Sequence, residues 1–473
     1  MAPLPLRLHP DRLLPADPAV RAIARRLYES VKDLPILSPH GHVPPAWIAL
    51  DTPFADPVSL LLSPDHYINR LLFASGVPLD SLGVPPATSH LDEAAARAAW
   101  ASFCSRWGLY RGTPMKYWME EVLADVFGVT VRPSAETADA IYDQIAAELA
   151  TPAYRPRALM DRFAIEFMAT TDDPCDDLNY HEALAADPTF HHRVAPTFRP
   201  DRYLEPARAG WAELVDTLGE TAGVDTGTYA GWVAAMENRR AYFKAHGAVS
   251  SDHAHRDAGT EPLTLPDAER AYAAARAGRA SAEQCKALQQ TMLFEQARMA
   301  SEDGLTMTLH PGVYRDHHTA TFNTYGPDVG CDIPMSVEYT RALHPVLDAF
   351  GTNPNFTLVL FTIDETLYSR ELAPLAGFYP AVYVGVPWWF IDTPDAIMRF
   401  KRAVTEMAGF SRLSGFIDDT RAFLSIPARH DMSRRLDAAH LAGLVAEHRL
   451  EEDEAFAVAY DLVAVNPRKV FHV

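Results

Sequence analysis

The sequence predicts an α/β fold, a (β/α)8 TIM-type barrel with a large helical insertion after the first strand. Two observations carry this. Eight short apolar or β-branched runs recur along the chain, each ending in polar residues, and helix-forming stretches separate most of them. Strands alternating with helices build a parallel sheet through right-handed crossovers, and eight such units can close into a ring. A doubly wound open sheet is the alternative. It would ordinarily carry a Gly-rich phosphate loop after an early strand, and SPHGHVPP is not one.

Taken in order, the strand candidates are ILSPHGH (36–42), FAIEFMATTDD (163–173), HRVAPTFRP (192–200) and GAVSSDHAH (247–255). LTMTLHPGVYR (305–315), TLVLFTIDE (357–365), AVYVGVPWW (381–389) and LSGFIDDTR (413–421) follow. Helix starts are marked by Asp17-Pro18 and Thr393-Pro394, an N-cap residue followed by proline at the first helical position. Gly247 and Gly351 stand where helices should end. About 120 residues separate the first two strands, far more than one crossover helix needs. The organisation expected is residues 1–42 as N-terminal helix and first strand, 43–155 as helical insertion, and 156–473 as the rest of the barrel. Residues 204–246 and 261–303 read as further helical excursions.

The 473-residue chain is 48% hydrophobic and 22% charged, an ordinary globular balance. Its 42 basic and 62 acidic residues give a net charge of −20, which argues against nucleic acid or an anionic membrane as partner. Cys104, Cys175, Cys285 and Cys331 have no paired spacing and read as reduced thiols. The N-terminus lacks an apolar signal core, and no apolar run reaches membrane-spanning length, so a cytoplasmic protein is expected.

The chemistry gathers at strand ends. In an extended segment, residues two apart point to the same side, so His40 and His42 offer two imidazoles to one point. In a barrel, all strand C-termini meet at the face that carries the active site. That face should collect Arg199, Asp252 and His253, then His310 and Arg315, and last Asp419 and Arg421. A carboxylate opposite a His-x-His pair makes a three-ligand metal site with open positions, the catalytic pattern. Three arginines on one face of an acidic protein point to a small anionic substrate, although Asp201, Asp316 or Asp419 could simply pair with them. Asp172 and Asp173 read as helix-capping residues; Trp388 and Trp389 read as core, or as a platform for a sugar-like ring. His191-His192 and His317-His318 read as solvated surface.

PHGHVPP, DHYINR, GTPMKYW, TTDDP, FRPDRY, VSSDHA, LHPGVYR, GPDVG, PWWF and DDTRAFLSIPARHDMSRR occur in that order. Together they span nearly the whole chain and closely resemble the uronate (glucuronate) isomerases of the amidohydrolase superfamily. The resemblance implies interconversion of D-glucuronate with D-fructuronate, and of D-galacturonate with D-tagaturonate. It implies that His40, His42 and Asp419 hold a divalent metal, zinc, which is less essential than in hydrolases because no water needs activation. His66, Tyr67, Arg199, Asp252, His310, Arg315, Arg421 and either Trp388 or Trp389 match the family's other site residues. Asp419 and Tyr67 are alternative proton shuttles, and Tyr67 would need a neighbouring guanidinium to serve as a base. No bridging lysine is evident, and Asp252 stands where some hydrolytic relatives carry histidine; both speak against a two-metal site. A metal-dependent hydrolase of an acidic amide or lactone is the alternative function, and a non-catalytic sugar-acid binder is a third. A hexuronate is the expected partner, and a homo-oligomer the expected assembly.

Overall fold

The computed structural model describes residues 3–85 and 91–473. Strands β1 (Ile36–Ser38), β2 (Ile165–Ala169) and β3 (Arg193–Ala195) pair in parallel in that order. Strands β4 (Ser250–His253), β5 (Thr306–Leu309), β6 (Leu358–Leu360) and β7 (Val382–Val384) form a second parallel run. The two runs join where Phe198, just past β3, bridges both Asp172 and Ser251. Leu413 bridges Val384, so an eighth segment follows β7. That segment returns to β1: among the described residues one backbone hydrogen bond, His42 N–H to Thr420 O at 3.0 Å, links them. The order around the ring is the order along the chain, a (β/α)8 barrel, and all eight predicted runs take part. Apart from Glu166 of β2 and Arg193 and Val194 of β3, its strand residues are buried, as parallel strands covered by helices must be.

Every strand is shorter than the run that predicts it, and one run is interrupted. LTMTLHPGVYR does not continue as one strand, because Gly312 turns the chain at φ +100°, a conformation that favours glycine. Val313–Tyr314 then pairs antiparallel with Ile333–Pro334, and helix Thr319–Tyr325 lies between them. Arg315 therefore follows this small hairpin strand rather than the end of a barrel strand.

Both predicted helix starts form. Asp17 accepts the Ala19 and Val20 N–H groups ahead of helix Pro18–Val31, and Thr393 accepts from Ala396 ahead of helix Pro394–Ala408. Between β1 and β2 the regular structure is helical, including His66–Ala74, Glu93–Ser105, Pro114–Glu121 and Ala138–Leu149. Trp100, Phe103, Trp107 and Tyr110 from this stretch share one apolar cluster with Ile36, Ile165 and Met168 of the first two strands. Helices Trp211–Ala222 and Tyr229–Ala245 precede β4, and Leu265–Arg276 and Ala282–Asp303 precede β5. Phe243 packs edge-on against Phe198 at 5.1 Å, fully buried, a contribution of roughly 2–3 kcal/mol.

Helix Ile426–Ala446 packs most heavily against helix Pro18–Val31 and is buried over most of its length. Its Arg434 guanidinium donates to the carbonyls of Lys32, Leu34 and Pro35 at 2.6, 2.8 and 3.1 Å. A cation thus satisfies carbonyls left open where a helix ends, and it fixes the entry into β1. Among the described residues no helix is long and apolar enough to cross a membrane.

Candidate active site

Three strand ends build the centre. His40 and His42 leave β1, and the eighth segment places Asp419 opposite them. Asp419 Oδ1 lies 3.3 Å from His40 Nε2 and 3.1 Å from His42 Nε2. Asp419 takes φ +43°, a left-handed conformation that Asp tolerates better than most residues and that often marks functional positions. From β4, Asp252 Oδ1 accepts from Thr308 Oγ1 and sits 2.6 Å from His310 Nε2. His310 therefore carries its proton on Nε2 and leaves Nδ1 as an acceptor, which has no hydrogen-bond partner. Asp252 also lies 4.0 Å from His40 Nδ1 and 3.5 Å from Arg199 Nε.

These groups shift one another's proton affinity. Burial would raise the Asp419 carboxyl, but His40 and His42 together hold it far below the usual carboxylate range. Burial would likewise raise Asp252, and His310, His40 and Arg199 outweigh it. His42 is pushed down to about 4 by burial, against the pull of Asp419, so its ring is neutral near pH 7. Burial lowers His40 less than Asp252 and Asp419 raise it. Ionised carboxylates beside a neutral imidazole are the donor set a divalent cation takes.

The ligand atoms of His40, His42 and Asp419 lie within 4.8 Å of one another, as do those of His40, Asp252 and His310. Asp419 Oδ1 is buried without a hydrogen-bond partner. A buried, unsatisfied carboxylate oxygen aimed between two imidazoles fits a metal ion, because such an atom otherwise costs about 1–3 kcal/mol or more.

A cleft of about 500 Å³ opens over this centre, a size suited to a small ligand. His42, His66, Tyr67, Arg199, His310, Arg315, Trp388, Trp389, Asp419 and Arg421 all line it. The structure thus gathers almost every residue singled out in the sequence. His253 is the exception. It follows Asp252 directly, so it points to the other side of the strand. It is fully buried beside Asp201 and His255, and burial lowers it to about 3.

Two of the three arginines have partners other than those expected. Arg199 Nε pairs with Asp201 at 3.0 Å, as the sequence suggested. Arg315 takes Asp332 at 2.9 Å rather than Asp316, and Arg421 takes Asp328 at 2.5 Å rather than Asp419. Asp328 and Asp332 come from the loop that folds back over the barrel mouth after β5. Arg315 also lies 5.0 Å over the Trp389 ring, and Trp388 packs edge-on to His310 at 4.5 Å. Both tryptophans reach the cleft, Trp388 from the core side and Trp389 from the arginine side.

Two further expectations need correction. Asp173 caps a turn, accepting from the Cys175 N–H, but Asp172 does not cap. Asp172 accepts from Thr170 Oγ1 at 2.7 Å and Thr197 N–H at 3.1 Å, tying β2 to β3, and it lines the cleft. Tyr67 does have a neighbouring guanidinium, Arg429, at 5.6 Å from its ring, yet it is not set up as a base. Burial and Asp392, which accepts its hydroxyl proton, raise the phenol well above its ordinary value, and Arg429 only partly opposes them.

Burial pushes the Asp172 carboxyl up to about 7. A raised carboxyl stabilises the fold fully below its unfolded value near 4, and that contribution is lost as pH rises through 7. Asp172→Asn should therefore match wild type near pH 4 and gain about 2 °C or more in melting temperature at pH 8. Calorimetry at the two pH values checks this; a gain that is equal at both would contradict it.

A family model described as glucuronate isomerase matches residues 19–471. The chain belongs to the glucuronate isomerase family. It is 58% identical to the uronate isomerase of Cutibacterium acnes over 98% of each chain. The crystal structure of glucuronate isomerase from Caulobacter crescentus superposes with a TM-score of 0.96 at 45% identity, covering 99% of this chain and 97% of that one. The uronate isomerase structure from Thermotoga maritima gives 0.91 at 28% identity, covering 98% and 99%.

Within this glucuronate isomerase frame, sequence reasoning missed four buried polar groups. Asp392 holds Tyr67, and Arg429 Nη1 holds Asp392 at 3.1 Å. His430 Nε2 lies 3.1 Å from Asp418 Oδ2, next to Asp419. Arg429 lies within DDTRAFLSIPARHDMSRR, a quoted segment, whereas Asp392 lies two residues beyond PWWF, outside any. For Asp392 the usable signal was a charged residue directly after the apolar stretch WWFI, which demands a partner if buried.

Proposed function

We propose that this protein interconverts D-glucuronate and D-fructuronate, and D-galacturonate and D-tagaturonate, by proton transfer through a cis-enediolate. The observation that carries the reading is the meeting of an ionised Asp419, the Asp252–His310 pair and two arginines around one cleft, in a member of the glucuronate isomerase family. Asp419 removes the C2 proton of the open-chain aldose, and the freed electron pair forms the C1–C2 double bond. His310, held by Asp252, moves the hydroxyl proton from O2 to O1. Asp419 then returns its proton to C1, leaving a carbonyl at C2. Such positioned acid–base groups each contribute about 10²–10⁴-fold.

Arg315 and Arg421 receive the negative charge. Each guanidinium has five N–H donors and uses one terminal nitrogen on its aspartate, so donors remain for a carboxylate. One of them clamps C6, remote from the reacting carbons, and so positions C1 and C2. A divalent metal, zinc in this reading, held by His40, His42 and Asp419, would supply electrophilic stabilisation of an oxygen at C1 or C2. Replacing His40 or His42 by alanine should lower bound zinc to well below one equivalent after purification. Full occupancy in both variants, by elemental analysis, would remove the metal assignment. The hydrolase alternative is not favoured, since the family is one of isomerases.

Proton NMR of glucuronate with the protein in deuterated water tests the reaction. Ketose signals should appear, with deuterium at C1 wherever the shuttled proton exchanges. Unchanged glucuronate would refute the reading.

A further inference from the structure

Tyr67 lines the cleft from the start of helix His66–Ala74, with its phenol oxygen already committed on two sides. Its hydroxyl donates to Asp392 Oδ1, and its oxygen accepts the Phe390 backbone N–H at 3.0 Å. A phenol has one proton and two acceptor positions, so a single acceptor position is left.

Asp392 does not line the cleft, although it is only 6% exposed and touches Tyr67 directly. Its other oxygen takes Arg429 Nη1 at 3.1 Å. Arg429 is itself fixed, with Nε donating to Ser425 Oγ at 3.1 Å and the guanidinium 3.7 Å over the Trp118 ring. The insertion, the loop after β7 and helix Ile426–Ala446 thus meet in one buried network.

We propose that Asp392, braced by Arg429, is a positioning residue that fixes the Tyr67 hydroxyl proton away from the cleft, so that the phenol oxygen accepts a hydrogen bond from a substrate hydroxyl. The proposal rests on the isomerase reading and adds what this side of the site selects: a sugar acid bearing a hydroxyl donor at that point. Turning the phenol proton toward substrate would strip Asp392 of a partner in a buried place, which is costly. The charged groups around the phenol are Asp392, Arg429, Asp65 and Arg70. Burial and Asp392 keep the phenol protonated. Tyr67 is then neither the base nor a donor to the carbonyl.

Kinetics of Tyr67→Phe, Asp392→Asn and the double variant test this. Tyr67→Phe deletes the acceptor, and Asp392→Asn replaces the charged acceptor by a neutral amide whose other end donates, so the hydroxyl is no longer held by an anion. Each single change should lower kcat/KM for glucuronate about tenfold or more. The double variant should fall no further than the worse single one, because both act through one oxygen. Losses that multiply, or unchanged activity in Asp392→Asn, overturn the proposal while leaving the isomerase reading intact. Wild-type protein that does not isomerise glucuronate refutes that reading instead. A second measurement needs no Asp392 variant to fold. In wild-type protein carrying 3-fluorotyrosine, the Tyr67 fluorine signal, assigned by its loss in Tyr67→Phe, should stay still over the pH range in which exposed tyrosines titrate. A signal that titrates with them overturns the proposal.

Discussion

Asp419→Asn should turn over glucuronate at least about 10²-fold more slowly than wild type, and added metal should not restore the rate. Asparagine is the informative replacement because it too tolerates the left-handed backbone at this position, so shape and φ survive while charge and basicity go. The loss has two possible sources, since Asp419 Oδ1 faces both His40 and His42. Wild-type enzyme stripped by a chelator separates them. A purely ligating aspartate predicts equal activity in the variant and the stripped enzyme. A proton-transferring one predicts a variant much slower than the stripped enzyme. Near-wild-type turnover in Asp419→Asn, with circular dichroism confirming the fold, would end the assignment.

Neutral glucose should be processed with kcat/KM roughly 10³-fold below glucuronate, a difference of about 4 kcal/mol. A hydroxymethyl group in place of the C6 carboxylate leaves charged guanidinium donors facing it without an anion. Asp328 and Asp332 soften the penalty, because they already neutralise Arg421 and Arg315 in part. They do not remove it, since each engages one nitrogen of its arginine. Steady-state rates for both sugars decide the matter, and comparable values would show that no carboxylate clamp exists.

The barrel was legible because each strand is a short apolar run with polar residues at one end, and that pattern follows directly from burial plus a functional rim. The convergence of His40, His42 and Asp419 was legible for a related reason: His-x-His and a strand-end aspartate reach one point through strand geometry alone. What sequence did not show is how charges pair across the mouth. Asp328 and Asp332 lie in a loop whose return path depends on the turn at Gly312, and no periodicity reports such a path. Asp392 and Arg429 are 37 residues apart in sequence, and they meet because helix Ile426–Ala446 packs under the loop after β7. His253 misled for the opposite reason, being adjacent to a site residue yet facing away from it.

The join between the eighth segment and β1 carries a consequence for how the molecule fails. Five neighbouring pairs of the eight staves are tied by sheet ladders and two more joins by isolated bridges, whereas among the described residues the last gap has one backbone hydrogen bond, and His40, His42 and Asp419 face each other across it. An ion gripping all three would act as the buckle of a hoop. Loosening the hoop would then part the reacting groups while the remaining staves stay side by side. Heating or mild denaturant should silence the enzyme before its sheet signal fades, and metal should close that interval by holding the first and eighth segments together.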